Sequence, residues 1–308
     1  MSSMPELLEK TSRTFALSIP FLPAKLQRSV TVAYLIFRIV DTIEDEFEGS
    51  PELRAAALNV ISSDFSLTSD VVTDEVASLL SAMPAPSDPG YVELLQSAPA
   101  VLEEFRSLDE DARRIIAEHL ARTARGMAQF LGRDLSGGRV HDLRSYCYIV
   151  AGIVGEMCSS LFVAHQPELA PIEKDLQRDS AAFGEGLQLV NIIRDAENDL
   201  HAGRCYLPRC VGRDELMGLA REDLRVAHRY ITALERASAQ PGIVAFNAFN
   251  AALAVMTLDA IEREGVGAKV SREQVAGLHN TIAKHAREGL PIAELASVDR
   301  AEVGARAR

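Results

Sequence analysis

Two stretches of this chain place carboxylates one helical turn apart within largely apolar sequence. No other feature narrows the fold as much. In VTVAYLIFRIVDTIEDEFE, Asp41, Glu44, Asp45 and Glu48 fall at i, i+3, i+4 and i+7, the spacing that lines one face of an α-helix. Like charges at this spacing repel, so solvent, a basic partner or a cation has to offset them. The run continues an almost wholly apolar segment, in which Val30, Tyr34, Phe37 and Asp41 share a row and Arg38 stands three residues before Asp41. In FGEGLQLVNIIRDAENDLHAGRCYLP, Gln188, Asn191, Asp195, Asn198 and Asp199 recur every three or four residues along a stretch rich in Leu, Ile and Val. On a buried helix such a stripe is costly unless its members are paired or bind a metal.

The rest of the chain reads the same way. Apolar residues recur at three- and four-residue spacing, and no run alternates as a strand would, which predicts about ten helices. Short Pro- and Gly-containing breaks separate them: Pro51, the stretch ending at Gly90, GRDLSGGR from Gly132, QPELAP before Ile172, HAGRCYLPRCVGR from His201, Pro241 with Gly242, and the GVG at Gly265. None has the length of an interdomain linker, so the expectation is one all-α domain over residues 1–298 and a polar tail over 299–308. Gly126, Gly152 and Gly155 are expected to allow close helix packing, and His141 and His165 to be structural or surface residues.

Composition sets outer limits. Of 308 residues, 32 are Lys or Arg and 44 are Asp or Glu, a net charge of −12. That balance argues against a nucleic-acid partner, since no basic excess is available to neutralise phosphates. MSSMPELLEK has neither the basic start nor the apolar run of a leader. The apolar stretch from Ile243 to Leu258 is short for a bilayer and is interrupted by Asn247 and Asn250, so no transmembrane segment is expected. Cys147, Cys158, Cys205 and Cys210 form no CxxC pair, so they read as free thiols of a cytoplasmic protein.

Two helices bearing carboxylates in apolar surroundings point to a chemistry. Hard divalent cations such as Mg²⁺ take oxygen ligands and often bind substrate phosphates at the same time. An apolar cavity capped by such a site suits a molecule with a greasy tail and a diphosphate head, and a cation-bound diphosphate leaves readily.

Six segments in order resemble the squalene/phytoene synthase family, the enzymes that join two prenyl diphosphates head to head. They are SRTF at Ser12–Phe15, DTIED at Asp41–Asp45, GMAQF at Gly126–Phe130, YCYIVAGIVGE at Tyr146–Glu156, NIIRDAEND at Asn191–Asp199 and GRCYLP at Gly203–Pro208. The first acidic motif is nearer the squalene synthase form. The resemblance, from about Ser12 to about Leu207, implies a bundle of helices around a central apolar cavity. It further implies that Asp41, Glu44 and Asp45 bind Mg²⁺ on one side and Asp195 and Asp199 on the other. Ser12, Arg13, Arg38, Gln188, Asn191 and Arg194 would hold diphosphate. Tyr34 and Tyr146, with Arg38 and Arg194, would stand near the reacting carbons.

Two positions depart from the family pattern. Asn198 stands where Glu is usual before the last Asp, with Glu197 shifted by one residue, and Ile149 stands where squalene synthases commonly carry Tyr before VAG. The expected reaction couples two farnesyl diphosphates through a cyclopropyl intermediate such as presqualene diphosphate. It ends in a C30 product, with NADPH as a possible reductant. Geranylgeranyl coupling of the phytoene type, prenyl transfer to an aromatic or other small acceptor, and a non-catalytic assembly or binding homologue are the alternatives. The Ile149 and Asn198 departures motivate the small acceptor, and Asn247 and Asn250, amides at i, i+3 on an apolar helix, add a little. Loose membrane contact would let a C30 or C40 hydrocarbon leave.

Overall fold

The computed structural model describes residues 2–45, 50–66, 76, 78–80, 86 and 88–298. Glu48 of the first acidic row and the tail 299–308 lie outside them. The described residues contain thirteen α-helices and no strand, so the chain is all-α as the periodicity predicts. It forms two compact units: Met1–Arg133 with Ser160–His165, and Asp134–Ser159 with Gln166–Arg308. Sequence punctuation does not mark this division, because one crossing, at Ser159–Ser160, falls inside a helix.

In the first unit, α1 (Met4–Thr11) starts at Ser3, whose hydroxyl and backbone N–H both donate to Glu6, and α2 (Arg13–Ser18) starts at Ser12. Helix α3 (Ala24–Asp45) runs 22 residues and is buried along most of its length, with Ala33, Leu35 and Ile43 fully enclosed. Around it lie α4 (Pro51–Ser66), α5 (Pro89–Gln96), α6 (Ala98–Arg106) and α7 (Glu110–Phe130). Asp88 and Asp109 cap α5 and α7 by accepting from backbone N–H groups of the first turn, which satisfies donors a helix start leaves orphaned. Helix α4 packs along α7, and Leu58, Ile61, Ile116 and Leu120 are buried on these two helices. Gly126 is buried in α7.

The second unit is built on α10 (Glu173–His201), 29 residues long. Before it come α8 (Val140–Cys147), a π-helical turn (Tyr148–Gly152) and α9 (Ile153–His165), whose last six residues belong to the first unit. After it come α11 (Arg213–Arg236), α12 (Pro241–Glu264) and α13 (Arg272–Glu288). Gly155 of α9 and Gly184 of α10 let the π-turn and the start of α9 approach α10 backbone to backbone. A Cβ at Gly155 would collide with the carbonyl of Ser180, and one at Gly184 with the carbonyl of Ala151. The close-packing role expected of Gly152 and Gly155 is thus observed.

Two helical stretches, Val140–His165 and Pro241–Glu264, are long and apolar enough to cross a membrane. The run around Ile243–Leu258, expected to be too short, therefore sits in a helix of sufficient length. The reason is that the apolar pattern extends past Leu258 to Ile261, and Pro241 starts the helix early. That helix is nevertheless a core element: Ile243, Ala245, Phe249 and Ile261 are fully enclosed. Val140–His165 carries Arg144 and Glu156 and packs its glycines on α10, so it too reads as part of the folded unit.

Candidate active site

In the first unit the sequence-predicted residues gather on α3 and the two short helices before it. Ser12 accepts from the Phe15 N–H at 3.1 Å and so serves as a helix cap. Arg13 beside it is exposed. The Tyr34 hydroxyl donates to the Thr11 carbonyl at 3.0 Å and accepts from Arg38 Nε at 3.2 Å. Phe15 packs on the Tyr34 ring, with centroids 5.2 Å apart. Arg38 is therefore held from behind by a tyrosine that is itself tied to the backbone. Its other edge reaches Asp41 at 3.5 Å, and Tyr91, which no sequence signal singled out, lies 6.0 Å beneath it.

Burial works against the Arg38 charge, but Asp41, Tyr34 and Tyr91 outweigh it and raise its pKa. Burial likewise pushes the Asp41 carboxyl up to about 6 against the pull of Arg38, with the Asp45 charge adding to the rise. Asp41 keeps 29% side-chain exposure and Asp45 is exposed, whereas Glu44 is only 9% exposed. The Glu44 backbone carbonyl accepts from Arg54 at 2.6 Å.

In the second unit the polar stripe of α10 is not buried as the apolar flanks implied. Asn191, Glu197 and Asn198 are exposed, and Gln188, Arg194, Asp195 and Asp199 are half-buried. Arg194 clasps Asp195 through both carboxylate oxygens, at 2.9 and 2.5 Å. Asp199 meets Arg204 at 3.5 Å, and Arg204 follows it by way of the glycine turn at Gly203, φ +77°. Burial raises the Asp199 carboxyl, opposed by Arg204 and assisted by Asp195. Tyr146 is buried and stacks on Tyr206 with centroids 4.9 Å apart and planes 18° from parallel. Arg204 and Tyr206 both lie in the GRCYLP segment, whose side chains carried no assigned role in the sequence.

Among the described residues no three His, Cys, Asp or Glu side chains converge into a ready-made metal cluster. The donor set nevertheless fits Mg²⁺ in kind. Asp41, Asp45, Asp195 and Asp199 offer carboxylate oxygens on half-buried or exposed positions, the hard ligands this ion takes.

A second polar network was not foreseen. Arg144 of α8 binds Asp223 of α11 at 2.9 and 3.0 Å and Glu185 of α10 at 3.0 Å. Burial pushes the Glu185 carboxyl up to about 7 against the pull of Arg144, with Asp223 and Glu156 adding to the rise. Glu185 precedes Gln188 by three residues on the same stripe, a signal the sequence did hold. Burial also pushes the Cys158 thiol up to about 12 and raises that of Cys147, and all four cysteines are free. Asn247 and Asn250 are buried and donate to carbonyls one turn back, at 2.8 and 2.9 Å. Those bonds spend an N–H of each amide within their own helix.

Comparison with known proteins follows this geometry. The structure of TcSQS with a ligand covers 90% of this chain and 84% of its own, with a TM-score of 0.76 at 23% identity. At that identity the likeness speaks for the fold, and it places the chain in the all-α class to which that structure belongs. The family model for squalene/phytoene synthase matches residues 8–212, and the chain belongs to the squalene/phytoene synthase family. The squalene synthase BSS of Botryococcus braunii is 34% identical over 210 residues, and the squalene synthase of Bos taurus 31% over 207. Each match takes in 66% of this chain but only 42% and 45% of those relatives, so the matched stretch spans less than half their length.

Proposed function

We propose that this chain joins two prenyl diphosphates head to head, most naturally two farnesyl diphosphates, through a cyclopropyl intermediate such as presqualene diphosphate. One observation carries the reading: the family match runs through both acidic helices, and each unit supplies carboxylates one turn apart with an arginine alongside. Mg²⁺ on Asp41 and Asp45, and on Asp195 and Asp199, would neutralise the diphosphate and make it a better leaving group.

The chain's own residues do the rest. Arg38 and Arg194 add positive charge and their remaining guanidinium N–H groups for diphosphate oxygens, and exposed Arg13 adds a third guanidinium. The C1–O bond of the donor breaks and its electron pair leaves with diphosphate. The allylic cation forms beside apolar, half-buried Ile149, Val150 and Val154, where little water can quench it. The stacked Tyr146 and Tyr206 rings offer π faces to that charge. The C2–C3 double bond of the second chain attacks the cation, and loss of a proton closes the cyclopropane. Tyr34 is a positioning residue in this scheme, because its hydroxyl is already committed to Thr11 and Arg38. We place the protein in the cytoplasm, with loose membrane contact for release of the hydrocarbon.

The test is product analysis. Purified protein with Mg²⁺ is given farnesyl or geranylgeranyl diphosphate, with and without NADPH, and phosphatase-treated and untreated extracts are examined by gas chromatography with mass detection. The expected product is a C30 hydrocarbon, with presqualene alcohol from trapped intermediate. A C40 product would shift the reading to phytoene-type coupling. Release of pyrophosphate only with an added aromatic acceptor would replace it, and no release at all would leave a binding homologue.

A further inference from the structure

Glu185 is a carboxyl group the reaction scheme does not yet use. Its side chain is 13% exposed. Oε2 is held by Arg144 at 3.0 Å, while Oε1 has no partner among the described residues. The neighbouring candidates are all engaged. Both Asp223 oxygens are taken by the Arg144 fork, Glu156 accepts from the Tyr148 hydroxyl at 3.1 Å, and the Cys147 thiol is held protonated by burial.

The placement is specific. Glu185 shares the α10 face of Gln188, Asp195 and Asp199 and precedes Asp195 by ten residues, about 15 Å along the helix. It abuts the π-turn: a Cβ at Gly152 would lie 3.4 Å from its Cγ. π-Turns of this kind occur often at functional sites. The turn and the start of α9 carry partly exposed Ile149, Val150 and Val154, with partly exposed Tyr148 and Glu156 among them. Glu185 thus sits apart from the diphosphate end of the stripe, against a turn that carries apolar side chains.

Building on the proposed function, we infer that Glu185 is the base that ends the reaction, taking through Oε1 the proton lost from the rearranged C30 cation. The C–H bond next to the cationic carbon breaks and its electron pair becomes a new C=C bond. The proton forms an O–H bond on Glu185 and later passes to solvent. No hydride donor is needed, and the product is a dehydro-C30 hydrocarbon with a conjugated triene. Burial pushes this carboxyl up to about 7 against the pull of Arg144, with Asp223 and Glu156 adding to the rise, which suits a base working at neutral pH.

The experiment compares wild type, Glu185→Gln and Glu185→Asp with Mg²⁺ and farnesyl diphosphate, or geranylgeranyl diphosphate if that is the chain coupled, without NADPH. Pyrophosphate release, hydrocarbon and phosphatase-released alcohol are followed, and circular dichroism melts check folding. Wild type is expected to make the triene. Glu185→Gln should lower it about 100-fold while presqualene alcohol accumulates, and Glu185→Asp should recover part of the loss. The triene rate in wild type should fall as pH drops below about 7, and the residual rate of Glu185→Gln should lack that step. A folded Glu185→Gln that makes triene like wild type overturns the inference. So does a wild type that releases pyrophosphate yet gives hydrocarbon only with NADPH. A wild type that releases no pyrophosphate overturns instead the proposed function beneath it.

Discussion

Helices α3 and α10 carry the two acidic motifs, and they hold their carboxylates by opposite means. On α3 the working carboxylate is kept at a cost. Asp41 lies on a helix sunk in the first unit, and burial pushes it up to about 6 although Arg38 stands 3.5 Å away. On α10 the motif residues stand on a half-open face, Asp195 paired with Arg194 just before it and Asp199 with Arg204 of the following turn. The helix is fixed elsewhere, by the glycine crossing at Gly155 and Gly184 and by a clamp near its start. There Asp179 accepts from Arg178 and from Nε and Nη2 of Arg229, at 2.8 and 2.9 Å. A buried helix fixes the direction of a charged side chain through its surroundings. An open one has to be anchored away from the charge it presents.

The largest effect that could break this contrast is on turnover. Asp41→Asn and Asp195→Asn should each lower pyrophosphate release by about 100-fold or more, the range for losing one charge-stabilising group. Their stabilities should differ. A carboxyl whose folded pKa is raised opposes folding once the pH passes its unfolded value near 4, and fully so above about 6. Metal-free Asp41→Asn should therefore melt no lower than wild type at pH 8, whereas Asp195→Asn loses a doubly bonded arginine partner and should melt lower. Equal melting shifts in the two variants would show that burial does not separate the helices.

The clamp gives a smaller effect of opposite sign. Burial alone would raise the Asp179 carboxyl, but hydrogen bonds from Arg229 and Arg178 outweigh it and hold it at about 2. A depressed carboxyl stabilises the fold above its unfolded value of 3.8, and that contribution is lost as pH falls from about 4 through about 2. Both arginines stand more than half exposed, so about 1 kcal/mol is expected, not the full value of the shift. Urea midpoints of wild type and Asp179→Asn should differ at pH 7 and converge toward pH 2. A gap that stays constant with pH would remove the clamp as the anchor of α10.

Much of this was legible in the sequence because helical spacing maps directly onto helix faces. The 3–4 recurrence places Asp41 beside Arg38, and the RD step places Arg194 against Asp195. What spacing could not give is burial. Along the stripe from Gln188 to Asp199, Asn191 and Asn198 are exposed and Gln188, Asp195 and Asp199 half-buried, while Leu189, Ile192 and Ile193 in the same stretch are covered. Nor could spacing give contacts between separate helices. Tyr91 comes to Arg38 from α5, and Asp223 and Glu185 share Arg144 across three helices. The π-turn at Tyr148–Gly152 was equally hidden, since its residues read as continuous helix.

The smallest effect probes how rigidly α3 presents its charge. Tyr34 fixes Arg38 through one hydrogen bond at 3.2 Å and is itself fixed by the Thr11 carbonyl at 3.0 Å. Tyr34→Phe keeps the ring, its packing on Phe15 and the ring face near Arg38, and removes only the hydroxyl. One such bond is worth about 1 kcal/mol, so kcat should fall by roughly fivefold to tenfold. KM should change less, because Asp41 still holds the other edge of the guanidinium. Among the described residues no equivalent tether stands behind Arg194, whose Nε and Nη2 go to Asp195 and whose backbone carbonyl accepts from Gly267 N–H. If Tyr34→Phe leaves kcat unchanged, Arg38 is positioned by Asp41 alone, and the two motifs present their arginines in the same way.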